Sequence, residues 1–407
     1  YTMSRFMTNT SHPLIPNSQE YMFEQQYVSI HSEDRNILKY PNSSDFEIEL
    51  PQDYQNVQGF RLTSGYFPAK LRTFSKQNKN ITFSFELHDI YNPADHGGGS
   101  ALEVAIYNTL SNNTDPFNFT IEEGNYTTEH MVQELSAKLN YAVTQLLVGS
   151  TSTLSDAQKE SLNTQGGYSS FVVAFNEVTQ HLYIGNDSSS FTLLNQRVAE
   201  YEHSTSVCYC DDSVVSPDFK HWGLPAYLGF TRCNLKATGN SDPAQIRFWY
   251  NSLSPDWLLS SSTKPGATSY FVKAPLTMNL QPAPYMYMEV KLLNSIDETA
   301  PYNYSKFTQE TNQTNGIVKA SFAKIALTSC GPDCNYYEDK NVANYFKIYD
   351  PPVERIRKLS IRFRYHDGML VDFGNQDYSF TLEFSILRPQ NNRAFNLSVP
   401  AAISERF

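Results

Sequence analysis

The segment 378–386 alternates without a break, with Tyr378, Phe380, Leu382, Phe384 and Ile386 at one parity and Ser379, Thr381, Glu383 and Ser385 at the other. A period of two lines every apolar side chain along one face of an extended chain, so the stretch predicts a strand with one face in a core. The same signature recurs at both ends of the sequence. Phe46, Ile48 and Leu50 alternate with Glu47 and Glu49 before Pro51, and residues 60–68, 81–87, 285–292, 317–327 and 358–365 follow suit. After the last of these, His366-Asp367-Gly368 is an Asp-Gly hairpin signal leading into 369–373.

One stretch has a different period. Met131, Leu135, Leu139 and Val143 recur every fourth residue, Thr127 or Thr128 is placed to cap the N-terminus, and Glu129 lies where the helix dipole favours an acid. This predicts one helix. A Ser, Thr, Gln and Gly-rich linker follows over 149–169, then short strands at 171–175, 181–184 and 191–194. Residues 117–235 therefore read as an inserted α+β module, with the helix packed on a small antiparallel sheet. On this division 21–116 form the first part of a β-sandwich, and 236–390 form its second part or a second β domain. Residues 1–20, with Met3, Phe6, Met7, Leu14 and Ile15, read as an extended arm able to dock on a neighbour, and 391–407 as a C-terminal tail.

Composition supports a mainly β chain and narrows its partners. The 407 residues include 27 Tyr and 26 Phe, which suit a pleated half-buried surface. The net charge of -11 repels phosphate backbones and anionic head groups, so no nucleic acid partner is expected. No apolar run reaches the roughly 18 to 20 residues of a transmembrane segment, and none near Tyr1 resembles a signal-peptide core.

The candidate chemistry is sparse. His31, Glu33 and Asp34 precede Arg35 in the segment HSEDRNILKYPNSSDFEIELP, but adjacent acids in an extended chain point apart, whereas paired-carboxylate catalysis needs both aimed at one substrate. Glu33, Asp34 and Arg35 are better read as candidate interface contacts at a strand entrance. Asp95-His96 before Gly97-Gly98-Gly99-Ser100 lacks the Gly-Lys-Ser/Thr ending of a phosphate loop, and with His88-Asp89 it reads as a flexible β connection. No Gly-x-Ser-x-Gly elbow occurs. The five cysteines are too few for a disulfide scaffold, and Cys208-Tyr209-Cys210 in a strand would turn its thiols to opposite faces, so no metal site is expected there with His203 and Cys233. Cys330 and Cys334 are a candidate disulfide closing a small loop. No catalytic residue and no cofactor is expected.

Arg355, Arg357, Lys358, Arg362 and Arg364 carry a local basic excess in an acidic chain. Strand alternation sends Leu359, Ile361, Phe363 and Tyr365 one way and Ser360, Arg362 and Arg364 the other, so the charges are candidate contacts for an acidic neighbour. Reversing Arg362 and Arg364 is expected to impair assembly and spare the fold. Asn80, Asn118, Asn125, Asn186, Asn303, Asn312 and Asn396 stand in Asn-x-Ser/Thr, making them candidate N-glycosylation sites.

Three stretches together resemble a family. Ser32-Glu33-Asp34-Arg35 with Lys39-Tyr40-Pro41-Asn42-Ser43 and the strand 46–51 resembles capsid-associated structural proteins of nucleocytoplasmic large DNA viruses, as do 351–359 running into 370–373. The Glu123-Gly124-Asn125-Tyr126-Thr127 turn before a helix, closed by Leu228-Gly229-Phe230, looks like a module of virion proteins. The resemblance covers about half the chain. It implies a jelly-roll-like antiparallel β-sandwich acting, without catalysis, as a minor capsid or penton-type component that bridges or stabilises capsomers in an icosahedral shell. The implied partners are a major capsid protein, other minor capsid proteins and further copies of the chain. The implied location is the virion capsid shell, assembled in the infected host cell. The alternatives are a viral attachment protein with a glycan or receptor groove lined by Trp222, Trp249 and Trp257, and a carbohydrate-active β-enzyme.

Overall fold

A computed structural model of the chain describes residues 21–68, 71–150, 152–198, 222–240, 264, 266–298, 319–327, 336–339, 346–366 and 369–389. The arm 1–20, the tail 391–407, Asp367-Gly368, Cys208, Cys210, Cys330, Cys334, Trp249, Trp257, Asn303, Asn312 and Asn396 lie outside them. The chain is mainly β, and its antiparallel sheets curl into a sandwich-like arrangement. It divides into two compact units, one formed by residues 1–71 with 283–407 and the other by 72–282.

In chain order the strands are β1 (Tyr21–His31), β2 (Asp45–Pro68), β3 (Thr82–His88), β4 (Phe117–Thr120), β5 (Phe171–Asn176), β6 (His181–Asn186), β7 (Ser190–Leu193), β8 (Leu235–Lys236) and β9 (Thr238–Asn240). They continue as β10 (Ser269–Lys273), β11 (Tyr285–Val290), β12 (Ile296–Glu298), β13 (Lys319–Ser321), β14 (Ala323–Ala326), β15 (Tyr336–Asp339), β16 (Lys347–Arg364) and β17 (Ser379–Pro389). The main helices are α1 (Ala101–Ser111), α2 (Thr128–Val148) and α3 (Asp156–Thr164).

The first unit is built on a seven-stranded sheet in the order β1-β17-β2-β16-β11-β14, with β15 beside β2, while β12 and β13 pair separately. Its spine is β2, a single strand of 24 residues where the sequence predicts two strands broken at Pro51. The strand survives the proline because Pro51 sits in an irregular stretch of the β2–β16 ladder. Ile356 pairs with Tyr54 and Lys358 with Glu49, so residues 50–53 bulge past a single partner and need no N–H from position 51. Alternation, reset where the β2–β17 ladder shifts register between Val57 and Gly59 and between Leu62 and Ser64, delivers Phe46, Leu50, Tyr54, Val57, Phe60, Leu62 and Phe67 to the core, where Leu382, Phe384, Ile361 and Phe363 meet them. Aromatic contacts fill the centre: the Phe363 ring lies 5.1 Å from Tyr378 and 5.6 Å from Phe67, near edge-on in both cases.

The second unit contains two four-stranded antiparallel sheets, β4-β3-β7-β8 and β5-β6-β10-β9. Helix α2 packs Met131, Leu135, Leu139, Val143 and Leu147 into its core beside Phe83, Phe85, Phe171 and Ile184, and the Thr127 hydroxyl caps it by accepting from His130 N at 3.2 Å. Asn140 ties that helix to β5: its Oδ1 accepts from Phe171 N and its Nδ2 donates to Phe171 O, both at 2.9 Å. Gly229, at φ +90°, admits the Leu276 carbonyl where an added Cβ would stand 2.2 Å from that oxygen. No helix among the described residues is long and apolar enough to cross a membrane.

The unit differs from the expected 117–235 by taking in residues 72–116 and 236–282. Strand β3 forms as predicted, although Ser84 is buried along with Phe83 and Phe85, and alternation does not choose a partner: β3 pairs with β4 and β7 rather than joining the larger sheet. Helix α1 lies within the stretch expected to belong to the β-sandwich, just after the expected flexible connection, and α3 lies within the expected linker. Both begin with a reciprocal capping box, Ser100 with Glu103 and Ser155 with Gln158.

Candidate interaction surface

The segment 31–45 is held as a rigid entrance to β2. Ser32 to Asp34 form a single 3-10 turn, and Ser32 is buried. Its N–H donates to Tyr378 O at 2.9 Å, its hydroxyl donates to Asp377 Oδ1 at 2.9 Å, and that hydroxyl accepts from Tyr378 N at 3.0 Å. The Tyr378 hydroxyl donates to the Ser43 carbonyl, and Ser44 donates to the Val371 carbonyl. Burial pushes the Tyr378 phenol far above its ordinary range.

Arg35 is a clamp within this loop. Its guanidinium donates to the carbonyls of Ser32 at 2.6 Å, Tyr40 at 3.1 Å and Pro41 at 3.4 Å, so each of its three nitrogens is engaged by the chain's own backbone. Glu33 and Asp34 are exposed. His31 meets Ser29 at 3.3 Å. At the tip of the same loop Leu38 is 98% exposed and Ile37 58%, on a turn fixed by Asn36, whose carbonyl accepts from Lys39 N and Tyr40 N at 3.1 and 2.8 Å. Leu38 and Ile37 are the two large aliphatic side chains this loop leaves in water.

The basic stretch is a ladder of ion pairs across β2 and β16. Arg362 meets Asp45 at 2.8 Å, Lys358 meets Glu49 at 3.1 Å and Glu47 at 3.4 Å, and Arg355 meets Asp53 at 2.5 Å with Arg357 at 4.0 Å from the same residue. Hydrogen bonds to Glu49 and Glu47 hold the Lys358 ammonium above its usual range. These exposed pairs set strand register more than they add stability.

Arg364 departs from the predicted solvated face. Its side chain is 4% exposed, bonded to Glu289 and Glu298, and 5.2 Å from the Tyr287 ring centroid. The alternation is as expected, but Glu298 at the end of β12 covers the outer face at this point, so Arg364 is unavailable to a partner. His366 reaches the same Glu298 at 3.3 Å.

The edges of the large sheet are unequal. β14 is four residues long, with Lys324 lying 4.0 Å from the Tyr285 ring centroid. β1 runs for eleven residues, paired along its whole length with β17 on one side and with no described strand on the other. Val28 and Ile30 are buried, whereas Phe23 is 53% and Tyr27 58% exposed. Alternation does not reveal this strand in the sequence because both parities carry apolar residues; the available signal is the β-branched and aromatic content of 21–30.

The other sequence candidates scatter. Asn80 and Asn186 are buried at 1% and 0% exposure, closing those sequons to a glycan in the folded chain, while Asn118 and Asn125 are exposed. Trp222 is buried at 1%, so it lines no exposed aromatic groove. Asp95 accepts from Asn92 Nδ2 at 3.0 Å, His96 stacks on Tyr91 at 5.4 Å, and His88 faces Glu86 at 3.9 Å, so these pairs do not converge. Ser100 after the glycines caps α1 rather than cradling a phosphate. Cys233 is buried. A cleft in the second unit is lined by Thr82, Ser84, Asn118, Thr120 and Arg197, with no carboxylate among them.

No protein-family model matches the chain, and no curated protein matches it. Among solved structures there is a weak likeness to a chain of the Sputnik virophage, determined by cryo-electron microscopy at 3.5 Å resolution. The TM-score is 0.33 at 11% identity, covering 89% of this chain and 98% of that chain.

Proposed function

We propose that the chain is a non-enzymatic virion structural protein, a minor capsid or penton-type component that bridges or stabilises capsomers. The observation that carries this reading is β1. An eleven-residue edge with outward Phe23 and Tyr27, neither Lys nor Pro along it and no strand beside it among the described residues, is the kind of edge that a monomer ordinarily blunts. A neighbour that adds a strand there hydrogen-bonds along its backbone and covers the two rings. The rigid Ile37–Leu38 tip and the exposed Glu33 and Asp34 supply further contact area on the same unit. The sequence resemblance to capsid-associated proteins points the same way and implies a major capsid protein and other minor capsid proteins as neighbours, with the virion shell as location.

The test is quantitative mass spectrometry of purified particles. A structural component keeps a fixed ratio to the major shell protein through density banding, mild detergent and external protease. Loss of the chain at any of these steps contradicts a structural role, and loss to protease with retained particle integrity would instead favour an exposed attachment protein.

A further inference from the structure

We infer that the partner at β1 is a second copy of this chain, joined edge to edge by antiparallel β1–β1 pairing about a two-fold axis centred on Gln25. The inference rests on the assembly reading for its premise that this edge is covered.

The register follows from the strand itself. Ser32 N donates to Tyr378 O, and the β1–β17 ladder runs without a shift from Tyr21↔Pro389 to His31↔Ser379. In such a ladder backbone groups alternate in direction, so even-numbered residues of β1 address β17 and odd-numbered residues direct their N–H and C=O outward. Two identical edges can pair only with odd opposite odd. Centring on Glu24 would oppose two carboxylates, which is destabilising. Centring on Gln25 sets Phe23 opposite Tyr27 of the other copy twice, aromatic on aromatic, and sets Glu24 opposite Gln26 twice, acid on amide. Centring on Gln26 or Tyr27 loses the Phe23–Tyr27 match, leaving Phe23 opposite Ser29 or His31. The contact is isologous, as a closed dimer requires.

Light scattering and cysteine pairing on the full chain test this. The expected mass is twice the 46.4 kDa of one chain, and Gln25→Lys, which opposes two ammonium groups on the axis at an exposed site, is expected to return it to one with an unchanged far-ultraviolet circular dichroism spectrum. Gln25→Cys is expected to form a disulfide between the two copies on mild oxidation, since directly opposed residues stand about 5.5 Å apart at Cα. Phe23→Cys is expected not to link to itself, being displaced by about four residues or ~13 Å. A single-chain mass at all concentrations, a dimer that survives Gln25→Lys, or linkage through Phe23→Cys would overturn the two-fold. If particles then show β1 paired with a different protein, the self-pairing fails and the assembly reading stands; a bare β1 in particles removes both.

Discussion

Arg364 and Glu298 face one another almost without water: the guanidinium Nη1 lies 3.1 Å from Glu298 Oε2, and the two side chains are 4% and 2% exposed. A second carboxylate, Glu289, shares the same arginine, whose raised pKa comes from these bonds overcoming the burial that opposes its charge. Removing the arginine leaves the buried Glu298 carboxylate with His366 alone, at 3.3 Å. Arg364→Ala is therefore expected to cost about 3 to 5 kcal/mol of stability, whereas Arg362→Ala, on the exposed ladder, costs at most about 1 kcal/mol. Urea unfolding of both variants checks this, and equal losses would place the two arginines in the same environment.

Asn80 acts as a buried turn pin, accepting from Ser75 N at 3.0 Å and donating to Thr73 O at 2.7 Å. Asn80→Ala leaves Ser75 N without its partner, while Thr73 O keeps Asn78 Nδ2 at 3.2 Å, and is expected to lower stability by about 1 to 3 kcal/mol. Intact-mass measurement of the folded protein from a glycosylating host is expected to show no occupancy at Asn80 or Asn186.

Alkaline titration reports the buried phenols. Burial pushes Tyr349 up to about 12 from its ordinary 10.0, and burial, with the Glu134 and Glu122 carboxylates, does the same for Tyr126. The folded chain thus keeps protons that the unfolded chain releases, so this stability is whole below about pH 10 and is lost as pH rises to about 12. Tyr349→Phe removes one of these groups and is expected to flatten the decline, measured as unfolding midpoint against pH. A decline that begins below pH 9 would assign alkaline loss to other groups.

The Ile37–Leu38 tip separates contact from folding. Leu38→Ser changes a side chain that touches almost nothing in the monomer, so its unfolding free energy is expected to stay within about 0.5 kcal/mol of the parent. On the assembly reading, incorporation into particles falls severalfold, read by quantitative mass spectrometry. Unchanged incorporation removes this tip from the interface.

Much of the fold was legible where one face is wet and the other dry. α2 follows its period because Leu135, Leu139 and Val143 are buried while their neighbours are not, and β17 keeps its apolar parity in the core at Phe380, Leu382 and Phe384 although Glu383 and Ser385 on the other parity are buried as well. α3 was missed because it buries only Leu162, leaving no stripe to read, although its capping box was present in the sequence. β1 was missed for the opposite reason, since both of its parities carry apolar residues and leave no alternation to read. Arg364 shows a third limit: alternation assigns a side chain to a face, and only tertiary structure decides what covers that face.

Cryo-electron microscopy of purified particles decides whether the chain is a shell component covered along β1. Density for the chain is expected within the shell, in contact with several subunits and with a strand hydrogen-bonded along Tyr21–His31 over Phe23 and Tyr27. A chain found only on outward projections, or one in the shell with β1 bare to solvent, would contradict it.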